Sequence, residues 1–162
     1  MAFDAFLKID GVDGESTRKG FEKQMEIESF NWGVANPVTI GSGTGGVGGG
    51  KATVTSFSVT KKSDKASAVL FQACLEGTHY PKALVTLNKA GGKSPVDFLK
   101  YEFEKVYVEN MNQSGASGGD DSALEQVSFV FGKVSMTYTP QNPDGTKGSP
   151  MVASWDLTAV SG

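Results

Sequence analysis

Val96-Asp97-Phe98-Leu99-Lys100-Tyr101-Glu102-Phe103-Glu104-Lys105-Val106-Tyr107-Val108-Glu109 is the stretch that decides the fold. Its apolar residues alternate with the period of two that marks a strand with one buried face, and Leu99, Tyr101 and Phe103 share one side. Then the phase slips, and Val106 and Val108 take the other side. A second long run, Leu124 to Thr139, behaves alike: Val127, Phe129 and Phe131 give way after Gly132 to Val134, Met136 and Tyr138. Gly132 is the natural bulge position, since a residue without Cβ tolerates the backbone angles a bulge needs. Two long strands that both change phase predict a compact antiparallel β-barrel, because a barrel closes only through such corners.

Working outward, shorter strands flank this pair. Phe3, Ala5, Leu7 and Ile9 alternate with polar positions up to the break at Asp10-Gly11-Val12-Asp13-Gly14. Between Gln24 and Val34 the apolar positions run Met25, Ile27, then Phe30, Trp32, a slip near Glu28-Ser29 that predicts a strand bend. Thr53 to Thr60 repeats the slip, with Val54 on one phase and Phe57 and Val59 on the other. Lys82 to Asn88 reads as a strand turning back through Lys89-Ala90-Gly91-Gly92-Lys93. Asn142-Pro143-Asp144-Gly145 is a turn, and Met151 to Val160, with Trp155 and Leu157, supplies the last strand. The connector Asn110 to Ser122 is rich in Gly, Ser and Asp and is expected at the surface.

One helix interrupts the strands, over 64–76. Ala66, Val69, Leu70, Ala73 and Cys74 recur on one face, Asp64 accepts the free amides at its start, and Gly77 takes the left-handed turn that ends it. Phe71 and Leu75 form a second stripe too apolar for open solvent, expected to meet a loop or a neighbouring subunit.

Composition narrows the function. A chain of 162 residues suits one domain, 1–162, and 20% charged residues with no long apolar run excludes membrane insertion by a helix. The net charge of −3 with scattered lysines offers no basic footprint for nucleic acid. Cys74 and His79 are each alone, so an intrachain disulfide, a multi-cysteine metal site and a catalytic triad have no residues to build them. Asp120 and Asp121 are paired only in a loop, where nothing desolvates them. Neither an enzyme nor a cofactor or metal site is expected. The N-terminal Met1-Ala2-Phe3-Asp4-Ala5-Phe6-Leu7-Lys8 lacks the pattern of a signal peptide, so the chain is expected to fold in the cytoplasm and to leave, if it leaves, as a folded object.

The glycine run Gly41-Ser42-Gly43-Thr44-Gly45-Gly46-Val47-Gly48-Gly49-Gly50-Lys51-Ala52 contains the Gly45 to Gly50-Lys51 spacing of a nucleotide-binding loop. Ala52 stands where the magnesium-binding hydroxyl belongs, and Val54, Thr55, Phe57 and Val59 follow as a strand where a helix is required. Nucleotide binding is therefore rejected. Two readings of the run stand: a loose loop, or an arm over about 41–55 that orders against another copy of the chain.

Several of these features together resemble one family. Phe6-Leu7-Lys8-Ile9-Asp10-Gly11-Val12 with Gly14-Glu15-Ser16, Phe30-Asn31-Trp32-Gly33, the arm ending in Gly50-Lys51, and Lys61 with Asp64-Lys65 before the helix are similar to Hcp, the haemolysin-coregulated proteins. So are His79-Tyr80-Pro81, Lys89-Ala90-Gly91-Gly92, Gly118-Gly119-Asp120, Tyr138 with Pro140-Gln141, and the Trp155 strand. The resemblance spans nearly the whole chain. It implies a tail-tube-like fold, two antiparallel sheets packed as a β-barrel with one flanking helix, and a structural subunit of the type VI secretion inner tube. It further implies homo-hexameric rings that stack into a hollow tube, with the tip spike, the contractile sheath and small effector proteins as partners, and export through the type VI apparatus. An alternative under the same resemblance is an effector carrier or chaperone acting mainly as free rings. The arm residues Gly41, Thr44, Gly45, Val47, Gly50 and Lys51 are the implied contacts between subunits and rings. Asn31 is the candidate lumen or effector contact, against the plainer reading of a solvated strand residue. Two departures accompany the match: Pro37-Val38-Thr39-Ile40 is more apolar than the family pattern, and no toxin domain follows, which points to a plain tube subunit.

Overall fold

The bent strand at 96–109 proves to be part of a longer one. The computed structural model of the chain describes residues 3–40, 47–48, 51–91, 94–119 and 121–159. In chain order its strands are β1 (Asp4–Ile9), β2 (Met25–Ile27), β3 (Ser29–Asn31), β4 (Val34–Ala35), β5 (Thr39–Ile40), β6 (Val47–Gly48), β7 (Thr53–Val54) and β8 (Phe57–Lys62). The helix α1 (Ser67–Glu76) follows, then β9 (His79–Gly91), β10 (Ser94–Ser114), β11 (Leu124–Val130), β12 (Lys133–Tyr138) and β13 (Met151–Asp156).

One antiparallel sheet of nine strands runs β2-β1-β9-β10-β11-β8-β3, with β12 added beside β10 and β13 beside β12. β10 organises it. One side of β10 pairs with β9; the other pairs with β12 over Leu99 to Glu104 and with β11 over Tyr107 to Ser114. The partners change at Lys105, which adopts φ 56°, opposite the Gly132 corner between β11 and β12. The Gly132 N–H donates to the carbonyls of Glu104 at 2.8 Å and Lys105 at 3.2 Å. Space at Gly132 is tight: a Cβ there would sit 3.2 Å from that of Lys105 and 3.0 Å from Thr158 Cγ2.

The predicted bend near Glu28 joins the two ends of the sheet. β2 pairs with β1 and β3 with β8, yet only Glu28 separates β2 from β3, and its N–H donates to the Thr60 carbonyl at 2.7 Å. The mainly β fold with one flanking helix stands. In detail it is one curled sheet whose ends are covalently continuous rather than sealed by a ladder, with two small ribbons beside it.

Inside the curl, aromatic rings form the centre. Phe57 packs on Phe103 at 5.0 Å and Phe129 at 5.4 Å, and Phe103 on Phe131 at 4.7 Å. Phe30, Trp32 and Tyr101 close the same cluster from the rim. Offset and edge-on pairs of this kind add about 0.5–1.5 kcal/mol each beyond area burial.

Three local expectations change. Phe3 is half exposed and packs edge-on against Phe98, whereas Phe6, on the polar phase of β1, is buried beneath Phe21 at 4.2 Å and the Arg18 guanidinium. The loop 11–24 supplies that cover, which strand periodicity alone does not encode. The helix starts three residues later than predicted: Asp64 caps the turn before it, its carboxylate accepting the Ala66 N–H at 2.9 Å while its own N–H donates to Ser67 Oγ. Gly77 ends the helix in the left-handed region as expected, but of the predicted buried face Val69 lies exposed; Phe71 and Leu75, the second stripe, are uncovered in the single chain. Met136 and Tyr138 keep the inward phase of buried Val134 but lie uncovered.

A buried charge cluster ties helix, sheet and loop. The Lys61 ammonium, fully buried, donates to the Lys62 carbonyl at 3.0 Å, to Asp64 at 2.9 Å and to Glu125 at 2.8 Å, and Gln113 donates to the other Glu125 oxygen. Burial pushes the Glu125 carboxyl up, but hydrogen bonds from Lys61, Ser67 and Gln113 outweigh it and hold the group below the ordinary carboxylate value. With its folded value below the unfolded one, the contribution is complete above about pH 4.3 and is lost as pH falls through the folded value. Lys61→Met leaves Glu125 buried and unpaired and should cost about 3–5 kcal/mol at neutral pH. Urea unfolding at pH 7 and at about pH 4 tests this: the deficit should shrink in acid, and an equal deficit at both values would refute the assignment.

Gly14 admits no side chain, since a Cβ would lie 2.5 Å from the backbone oxygen of Gln24. Gly14→Ala should lower stability by about 2–3 kcal/mol by displacing the loop that covers Phe6, read as a fall in urea midpoint; an unchanged midpoint would show that the loop yields freely.

Candidate functional site

Residues beyond β3 leave the body as a projection. Val34 pairs with Val54 and Ala35 with Thr53, and farther out Thr39 pairs with Gly48 and Ile40 with Val47. Neither ribbon joins the main sheet. The projection thus takes in the apolar Pro37–Ile40 segment and, of the glycine run, Val47 and Gly48, and Ile40 on it is 89% exposed. Of the sequence-predicted arm residues, Val47 lies in the outer ribbon and Lys51 leads into the inner one, exposed; Gly41, Thr44, Gly45 and Gly50 lie outside the described residues. A strand follows Lys51, so the helix that phosphate binding requires is replaced by β7.

At the root of the projection an apolar groove of 630 Å³ is walled by Trp32, Val34, Val54, Val134, Met136 and Trp155. Its floor follows from register: Val134 faces Trp155 and Met136 faces Ala153, and beyond the groove Tyr138 faces Met151. This is the inner phase of β12 and β13, continued past the point where the core covers it. Met151 and Trp155 remain 72% and 55% exposed. β13 pairs only with β12, so among the described residues its far edge presents unpaired backbone groups. The sequence reading missed this groove, although the apolar β12 and β13 residues signalled it.

A second surface has opposite character. Phe30 and Trp32 turn into the core, and Asn31 between them is exposed on the other face. Asn31 pairs with Ser58, Ser58 with Ser128 and Ser128 with Asn110, one row across β3, β8, β11 and β10, with the two serine hydroxyls bonded at 2.7 Å. The adjacent row is Ser29, Thr60, Gln126 and Asn112. Neither row contains a charge.

The sheet's other stretch does. Asp10, just past β1, donates its N–H to the Lys82 carbonyl, Lys82 pairs with Glu104, Glu104 with Lys133 and Lys133 with Asp156, so the sign alternates from the end of β1 across four strands. Opposite charges on facing strands attract, by about 0.2–1 kcal/mol per pair.

Residues offered to chemistry stay apart. His79 is exposed and lies tilted against Tyr107 at 5.3 Å, Cys74 is half-buried and unbonded, Asp121 is exposed, and Asp120 lies outside the described residues. Among the described residues no group of three or more His, Cys, Asp or Glu is placed to hold a metal ion, and no helix is long and apolar enough to cross a membrane.

Solved structures share this architecture. One reported as a type six secretion system protein superimposes with a TM-score of 0.91 at 36% identity, covering 96% of each chain. Hcp1 from Salmonella typhimurium gives 0.80 at 33% identity, covering 97% of this chain and 96% of its own. In sequence, protein hcp1 of Pseudomonas aeruginosa is 38% identical over 158 residues, 97% of this chain and 96% of that protein. Residues 6–138 match the family described as type VI secretion system effector, Hcp. The chain belongs to the Hcp family of type VI secretion proteins.

Proposed function

We propose that the chain is a structural subunit of the type VI secretion inner tube, closing into homo-hexameric rings that stack around a hollow lumen. The observation that carries this is the pairing of an uncovered apolar groove with a projecting ribbon tipped by Ile40. The two surfaces differ, which is what a head-to-tail interface requires, and rotation then closes a ring. The ribbon of one copy enters the groove of the next, covering Trp155 and Met136, while the β13 edge lies beside the neighbour. Phe71 and Leu75 on α1 offer further cover at such contacts. The role is structural, without catalysis or cofactor. Spike, sheath and small effectors are its partners, and it leaves the cytoplasm through the type VI apparatus rather than by a cleaved signal.

Buried aromatic anchors dominate interfaces, each worth about 2 kcal/mol or more on truncation. Trp155→Ala and Ile40→Asp should therefore each convert rings to monomers in light scattering at micromolar concentration while leaving the far-ultraviolet circular dichroism unchanged. Rings that persist in both variants would overturn the groove assignment, and a monomeric unmodified chain would overturn the ring.

A second reading, a carrier of effectors acting mainly as free rings, draws support from the uncharged rows around Asn31. Asn31→Trp should then abolish effector co-purification while tube assembly, seen by negative stain, continues; retained effector would remove this support.

A further inference from the structure

We infer that Lys61, Asp64 and Glu125 form an acid-opened latch: protonation of the two carboxylates frees α1 and the turn before it while the nine-stranded sheet stays folded. The latch belongs to the single chain and does not depend on the ring. Its parts come from every side. Glu125, on β11, accepts from Lys61 of β8 at 2.8 Å, from Gln113 of β10 at 2.8 Å and from the Ser67 hydroxyl of α1. Ser67 Oγ in turn accepts the Asp64 N–H, while the Asp64 carboxylate accepts from Lys61 and from the Ala66 N–H. One further tie reaches the loop 11–24, where exposed Glu15 accepts the Lys65 N–H at 3.1 Å. Three carboxylates thus hold the turn at 63–66, beside the backbone bond from the Ser63 N–H to the Ala123 carbonyl.

The helix itself adds little. Of its side chains Leu70 and Ala73 are buried, whereas Val69, Phe71 and Leu75 are exposed, and no acidic residue stands in its first turn or basic residue in its last. The sheet is held differently, by its ladders and by the packed rings of Phe57, Phe103, Phe129 and Phe131, in which no carboxylate takes part. Acid therefore acts on one part and not on the other. Once Glu125 is neutral, the buried Lys61 ammonium keeps its charge with one anionic partner fewer, and a buried charge without its partner is strongly unfavourable. Opening the turn lets water reach it. Because Glu125 in the folded chain titrates below its ordinary value, the latch is whole at neutral pH and weakens as pH falls below about 4.3.

Hydrogen–deuterium exchange of the full chain, read by mass spectrometry and corrected for intrinsic rates, follows the two parts separately. Between about pH 7 and about pH 3.5, peptides over 63–77 should lose protection by about tenfold or more, while peptides over the β10 stretch 97–108 keep theirs within about twofold. Glu125→Gln keeps the shape and removes the charge, so its helix should already exchange at pH 7 as the unmodified chain does in acid. Ser67→Ala, a milder change, should move the opening to higher pH. Helix and sheet losing protection together, a helix protected throughout the pH range, or Glu125→Gln with α1 as protected at pH 7 as the unmodified chain would each overturn the latch. Should Glu125→Gln not fold, the pH series of the unmodified chain and of Ser67→Ala decides the matter by the same criteria.

Discussion

The fold depends on one strand serving two sets of neighbours. β10 spans 21 residues, and no flat sheet accommodates it, because β12 and β11 successively claim the same edge. The exchange is possible only where the chain turns a corner, at left-handed Lys105 against Gly132. For a lysine that conformation costs about 1–2 kcal/mol. Backbone hydrogen bonds on both sides and the aromatic cluster beneath hold it in place.

From that corner two surfaces of different character follow. Beyond it β10 joins β11, β8 and β3, whose two middle outward rows, Asn31 to Asn110 and Ser29 to Asn112, are polar and neutral. Before it β10 joins β9, β12 and β13, where charges alternate outward and the inner phase runs out from the core into the apolar groove. A single subunit cannot cover Trp155, Met151 and the far edge of β13, and the same chain extends a ribbon with an exposed isoleucine. Exposed apolar surface of this kind, next to an open strand edge, is stable in water only when something covers it. The proposed ring of identical copies would satisfy both needs without an additional protein.

The buried Lys61 cluster serves a different end. It sits where β8, β11, β10 and the helix approach converge, and each ammonium hydrogen has an acceptor. Apolar residues of like volume would pack there at no greater cost. What charge adds is direction: the ammonium is satisfied only with the Lys62 carbonyl, Asp64 and Glu125 all in place, so the helix start is registered on the sheet.

The sequence by itself determined most of the main-sheet strands, their phase slips at Glu28 and Gly132, the glycine stop of the helix and the family, because alternation and turn residues are local properties of the chain; it left 110–114, the end of β10, in a connector. It also placed Asn31 opposite Phe30 and Trp32, although a slip of one residue would have reversed it. What only the tertiary structure decided was which side chains a distant segment covers. Phe6 is buried because Phe21 and Arg18 fold over it, Lys61 because Glu125 meets it across the β8–β11 ladder, and Val134, Met136 and Trp155 line a groove because β13 has no further strand beside it. Burial is a relation between residues far apart in sequence, and periodicity reports only which face a residue takes, never what lies against it.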